Sequence, residues 1–381
     1  MLRVEVKPEL LRWGRERAGM QIDALINRFP KYAEWESGNA QPTLKQLEKL
    51  ASTVHAPIGY FFLPEPLEEP LPIPDFRTIE NKPLKRPSLE LLDTIDLCQR
   101  RQDWYREFAL REGDGPVSHV GSASLGNDVE AVAAAIRTAI SLDLEERRSL
   151  STWTDALRRF IENVDTLGVL VMLSGIVGNN THRKLDPAEF RGFALADDLA
   201  PLVFINGADT KAAQMFTLAH ELAHLWLGES ALSDSTPDSV QEREIERWCN
   251  KVAAELLVPI SSLRLEYERE EKLTKSAARL ARRFKVSTLV ILRRIYDAGE
   301  ISWDDFRHAY DAELENLKAR TKGSGGNFYP TQSIRTGKRF ASAIVMSTLE
   351  GRTSFTESSQ LLGIKKAKTF DSLALFLGIT R

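Results

Sequence analysis

Two histidines four residues apart, with a glutamate directly after the first, are the residues of this chain best placed to do chemistry: His220-Glu221-Leu222-Ala223-His224. On a helix, positions i and i+4 lie on one face, one turn apart. Both imidazole Nε2 atoms can then reach a single zinc ion at about 2 Å. Glu221 is placed to take a proton from a water whose pKa the metal has lowered toward neutrality. The pattern reads as hydrolysis. Around it, Met215, Phe216, Leu218, Ala219, Leu222, Ala223 and Trp226 predict a buried helix, and Gly228 its stop. Without a metal, two buried imidazoles beside a buried carboxylate would be costly to satisfy.

A third ligand must come from elsewhere. Gln241 to Pro259 predicts a second amphipathic helix, with Ile245, Trp248, Cys249, Val252 and Leu256 at helical spacing and Pro259 ending it. It carries Glu242, Glu244, Glu246 and Glu255. At about 100° per residue, Glu244 and Glu255 point away from Glu246, whereas Glu242 lies within about 40° of it. Spacing leaves Glu242 and Glu246 as candidates.

The run Phe216-Thr217-Leu218-Ala219-His220-Glu221-Leu222-Ala223-His224, followed by Glu246-Arg247-Trp248-Cys249-Asn250 and Ala253-Ala254-Glu255-Leu256-Leu257-Val258-Pro259, resembles the ImmA/IrrE metallopeptidases. The resemblance extends from the strands near residue 168 to Pro259. It implies a compact thermolysin-like zinc core whose third ligand, the glutamate four residues before the asparagine, is Glu246. It also implies a narrow protein substrate, a repressor or antitoxin-like regulator. No residue is marked as the transition-state stabiliser; Arg191, Tyr267 and His308 are polar positions with no placement from sequence.

The elements that must position these residues read as follows. Gly168–Leu173, Arg191–Ala196 and Pro201–Asn206 are short apolar runs, the last two facing each other across Asp197–Ala200 as a hairpin would. They predict a small antiparallel sheet before the zinc helix. Residues 88–166 predict helices through Leu91 and Cys98, through Val129 and Ile136 with Asn127 as cap, and near Trp153 and Phe160. Ala277–Ser302 has a helix-turn-helix-like outline. The fold class is α+β and mostly helical. Its divisions are a helix-turn-helix unit at 1–63, a proline-rich linker at 64–87, a helical segment at 88–166, the metallopeptidase core at 167–265, a helical extension at 266–320 and a basic C-terminal piece at 321–381. Ile73–Thr78 within the linker is distinctive enough to pack along a neighbour, and Gly323–Gly326 is a second linker.

The first unit resembles the Xre/Cro-type helix-turn-helix family through Trp35-Glu36-Ser37-Gly38, Pro42-Thr43-Leu44 and Gln46–Ala51, with Thr43 as a helix N-cap. That resemblance implies DNA contact at the start of the third helix, with Arg28 and Lys31 as the first phosphate contacts. Residues 1–50 carry nine basic and seven acidic side chains, a weak footprint for DNA, so a protein partner competes with it.

Composition bounds the class. The 381 residues, 43% hydrophobic and 28% charged, are ordinary globular values. No apolar stretch approaches a membrane span, no signal peptide opens the chain, and the only cysteines are Cys98 and Cys249. Cytoplasm is the expected compartment. The net charge of −3 hides a C-terminal excess: from Arg320 on there are ten basic and three acidic residues. Three readings compete. The favoured one is a Zn2+ endopeptidase cutting a repressor or antitoxin-like regulator. The second is a DNA-binding regulator, or an antitoxin with a toxin partner, whose peptidase-like domain senses a partner. The third is an interaction protein with a structural metal.

Overall fold

The computed structural model describes residues 3–67, 87–233, 240–320 and 334–379, without the side chains of residues 233, 240–243 and 317–320. Most of the proline-rich stretch, Ile73–Thr78 and the Gly323–Gly326 linker lie outside the described residues. The described residues form two compact units, one of residues 3–67 and 87–93, the other from residue 94 onward.

In the first unit, helices α1 (Pro8–Arg17), α2 (Ile22–Ile26), α3 (Tyr32–Glu36) and α4 (Leu44–Thr53) precede a 3-10 turn, Ile58–Phe62. Pro8 starts α1, where its missing N–H costs nothing. Thr43 caps α4 in a reciprocal box with Gln46. Leu10, Leu11, Leu25, Trp35, Leu47 and Leu50 fill the core. Glu36, buried in α3, is clamped by Arg15 of α1 at 2.8 and 2.9 Å, and Tyr32 donates to Leu11 O at 2.8 Å. The Arg15 hydrogen bonds outweigh burial and hold the Glu36 carboxyl below its ordinary value.

The second unit is built on α5 (Leu89–Glu112) from Thr94 onward, α6 (Val129–Ala139), α7 (Leu144–Ser149) and α8 (Trp153–Leu167), then strands β1 (Leu170–Ser174), β2 (Gly192–Leu195) and β3 (Leu202–Asn206). Helix α9 (Lys211–Leu227) and strand β4 (Ala231–Ser233) follow, then α10 (Val240–Leu257) and α11 (Ile260–Glu266). Helices α12 (Leu273–Phe284), α13 (Thr288–Asp297) and α14 (Trp303–Arg320) lead to α15 (Lys338–Leu349), α16 (Phe355–Leu362) and α17 (Ala367–Phe376). Helix α6 is capped by Asp128, which accepts from Ala131 N, rather than by Asn127, which accepts from Ser124 N instead.

The sheet runs β1-β3-β2-β4. β2 is antiparallel to β3 and β4, as the hairpin reading requires. The sheet is nonetheless mixed, because β1 pairs with β3 in parallel. The chain leaves β1 through residues 175–191 before starting the hairpin, so β3 returns beside β1 in the same direction. One face, with Val171, Ala194, Val203 and Ile205, joins the core built by α6, α8, α9, α10, α12 and α13. On the other, Phe193 stacks on Phe204 at 5.0 Å.

The outer edge of β1 is covered. Leu170 N–H points inward and donates to Pro201 O at 2.8 Å, so alternation turns the Val171 N–H and C=O outward. The N–H donates to Asp165 Oδ1 at 3.4 Å. The carbonyl meets Gly337, at φ +77° on the N-terminus of α15, where a Cβ would come within 2.8 Å of it. The α15–α17 segment is clasped to α5: Arg339 donates to Tyr105 Oη at 2.7 Å, Arg101 donates to Leu361 O at 2.9 Å, and Trp104 meets Phe340 edge-on. Among the described residues, no helix is long and apolar enough to cross a membrane.

Burial raises the Asp165 carboxyl to about 7, against the Val171 N–H and the Arg339 charge. The unfolded value is about 3.9. Between these values the folded chain holds a proton that the unfolded chain has released, so stability is fully present below about 3.9 and is lost as pH rises through about 7. Asp165→Asn keeps an acceptor for Val171 and removes the titration. Calorimetry is expected to show the variant melting roughly 2–4 °C above the parent at pH 8.5, with a smaller gap at pH 5.

Candidate metal centre

Thr210 caps α9 by accepting from Ala213 N, and Gly228 closes it in the left-handed conformation the sequence anticipates. Apolar Met215, Leu218, Leu222 and Leu225 press one side of the helix into the core, and His220, Glu221 and His224 are carried inside with them. Helix α10 packs against α9 through Ile245, Cys249 and Val252. That packing brings Glu246 over the two histidines.

The three side chains meet tightly. His220 Nε2 and His224 Nε2 are 3.1 Å apart, Glu246 Oε2 is 3.3 Å from His220 Nε2, and Glu246 Oε1 is 3.1 Å from His224 Nε2. All three residues are buried. Burial opposes the charged form of Glu246, but the facing imidazoles outweigh it and hold the carboxyl well below the usual carboxylate range. Burial also lowers the pKa of His224, which keeps a lone pair on its ring at neutral pH.

This donor set fits zinc. Tetrahedral ligands at about 2.0–2.1 Å from one ion stand about 3.3 Å from each other. The observed separations of 3.1 to 3.3 Å match that edge length. Three protein donors leave one position for water or substrate, as in hydrolytic rather than structural sites. Glu221, 0% exposed, follows His220 on the same helix.

Carbonyls at the C-terminal ends of both helices accept from other parts of the chain as well as from the α9 cap. For α9, Gly121 N–H reaches Leu225 O at 3.0 Å and Ala123 N–H reaches Trp226 O at 2.8 Å, while His119 stacks on Trp226. For α10, Arg137 donates to Glu255 O at 2.7 Å, Arg294 to Val258 O at 2.9 Å, and buried Arg147 to Leu257 O. Arg294 also pairs with the buried Glu255 carboxylate, so that acid is a structural partner turned away from the cluster.

Residues 164–296 match the IrrE N-terminal-like domain family, Peptidase_M78. This segment is similar to an IrrE N-terminal-like domain. The radiation response metalloprotease IrrE of Deinococcus radiodurans is 35% identical over 121 residues, which span 30% of this chain and 36% of that protein. The chain therefore spans little more than a third of that relative's length. Residues 336–374, the α15–α17 segment, match a domain of unknown function, DUF8813. The IrrE-type domain contains the whole His220–His224–Glu246 cluster, whereas Gly121, Arg137 and Arg147 precede it.

Of the positions singled out from sequence, the structure brings together His220, His224 and Glu246, with Glu221 adjacent. Arg28 and Lys31 lie exposed in the other unit, Lys31 3.9 Å from Glu34. Arg191 is 3.8 Å from Asp209, Tyr267 ends α11, and His308 is exposed on α14. Glu242 belongs to α10, but its side chain is outside the described residues. Titration calorimetry separates the two glutamates. Glu246→Gln should weaken zinc affinity about 10- to 100-fold or more, and Glu242→Gln should leave it unchanged; the reverse result transfers the ligand role.

Proposed function

We propose that this chain is a zinc-dependent endopeptidase, and that its substrate is a regulatory protein such as a repressor or an antitoxin-like partner. The observation that carries the reading is the convergence of two imidazole nitrogens and a carboxylate within 3.3 Å, next to the Glu221 carboxylate on the same helix. The similarity to a radiation response metalloprotease supports the peptidase part. In this reading His220, His224 and Glu246 hold the ion. Zinc, when bound, lowers the pKa of water and polarises a scissile carbonyl. Glu221 accepts a proton from the attacking water and delivers it to the leaving amine, so a single carboxylate serves as base and then acid. Its burial keeps bulk water from competing for that proton.

A second reading, a DNA-binding regulator, draws on the exposed Arg28 and Lys31. It is the weaker one: α3 is five residues long, and its inward residues Tyr32, Trp35 and Glu36 serve the core.

New protein N-termini, compared by mass spectrometry in host cells making equal amounts of the parent or Glu221→Gln, test the proposal. Cuts present with the parent and reduced about 10²- to 10⁴-fold in the variant, with zinc retained by both, are expected. Cleavage unchanged in Glu221→Gln, or no cut from a zinc-loaded parent, overturns it.

A further inference from the structure

Glu221 lies against a glycine. Gly192 opens β2, and its pleat direction faces α9. A Cβ at this position would sit 2.5 Å from Thr217 Cγ2, 2.7 Å from Phe204 O and 3.0 Å from Glu221 Oε1. Ordinary contacts fall at about 3.5–4.0 Å, so a side chain here must displace something. The φ of Gly192 is outside the left-handed region, so backbone conformation does not call for a glycine. Space does.

The backbone has little room to retreat. Asn206, wholly buried, donates from its N–H to Arg191 O at 2.7 Å and from Nδ2 to Phe190 O at 3.0 Å. β2 is flanked by β3 and β4, with Gly192 opposite Ile205 and Ser233. Helix α9 is fixed from the other side by its apolar residues. The side chains that can yield between these two elements are Thr217 and, one turn further along, Glu221, while the Phe204 carbonyl keeps the strand from closing on the new atom.

We propose that Gly192 is a positioning residue for Glu221: its missing side chain makes the space in which the carboxylate lies between β2 and the His220–His224–Glu246 cluster. This rests on the reading of Glu221 as the base. A Cβ would push the carboxylate by a few tenths of an ångström, and misplacement approaching that of a lost alignment lowers turnover by about 10- to 100-fold. None of the three cluster residues is among the three atoms nearest to that Cβ, so metal binding is expected to be spared.

The test uses the zinc-loaded full chain as parent, Gly192→Ala, Gly192→Ala with Thr217→Ser (which removes the closest methyl), and Glu221→Gln as baseline. Each is crystallised, assayed for zinc content, and tested on a quenched fluorogenic peptide library. Gly192→Ala should keep one zinc per chain and show a displaced Glu221 carboxylate, with kcat about 10- to 100-fold down and KM within about twofold. The double variant should recover part of both the position and the rate. An unmoved carboxylate, or an unchanged kcat, overturns the proposal. If the parent cuts nothing, the peptidase reading fails, while the crystal structures still decide the place of Gly192. If Gly192→Ala does not fold, the double variant carries the comparison; if neither folds, the glycine serves the sheet and the proposal is overturned.

Discussion

Three electron-pair donors crowded within 3.3 Å in the interior are the constraint on which the second unit depends. Two imidazole nitrogens and a carboxylate cannot be satisfied there by one another alone. Their burial costs desolvation, which the imidazole–carboxylate contacts offset around Glu246. The apolar faces of α9 and α10 force the meeting all the same, because Leu218, Leu222, Cys249 and Val252 have no other place to go. The fold holds the donors in place, and a divalent ion turns that arrangement from a cost into an attraction.

Keeping two helices in register at this tolerance asks for more than a core. Their C-terminal carbonyls are tied by groups from α6, α7, α13 and the loop before α6. Three guanidiniums on the end of α10 also complement its negative dipole end, at about 0.3–1 kcal/mol each near a surface and more when buried. Two of these arginines and the loop lie ahead of the segment that resembles IrrE. The cluster is family-like, and part of its scaffold comes from outside the matched segment.

Much of this was legible in sequence. Apolar spacing located α9 and α10, because a buried helix writes its period into the residues it buries. The paired histidines followed from the i, i+4 geometry, which needs no tertiary information. Spacing left Glu242 and Glu246 open and the family resemblance chose Glu246; packing on α9 sets Glu246 beside the two histidines, while the Glu242 side chain lies outside the described residues. The parallel partner of β1 was hidden because strand direction depends on the path of residues 175–191, which has no strong period. Asp128 outcompeted Asn127 as a cap by a single residue, within the ordinary fraying of helix starts. Gly192 carried no signal at all. An absent side chain is informative only once its neighbours are known.

The covered edge of β1 has a consequence for assembly. A sheet with two bare edges can be extended at both ends, and chains that do so polymerise. Here Asp165 and the N-terminus of α15 stand at the outward groups of Val171, while among the described residues β4 ends the sheet on the other side. A guest segment that lengthens the sheet at β4 finds no matching site at the far end for the next molecule. The first helix of the segment of unknown function thus closes the sheet at Val171, where a bare strand would offer its backbone groups.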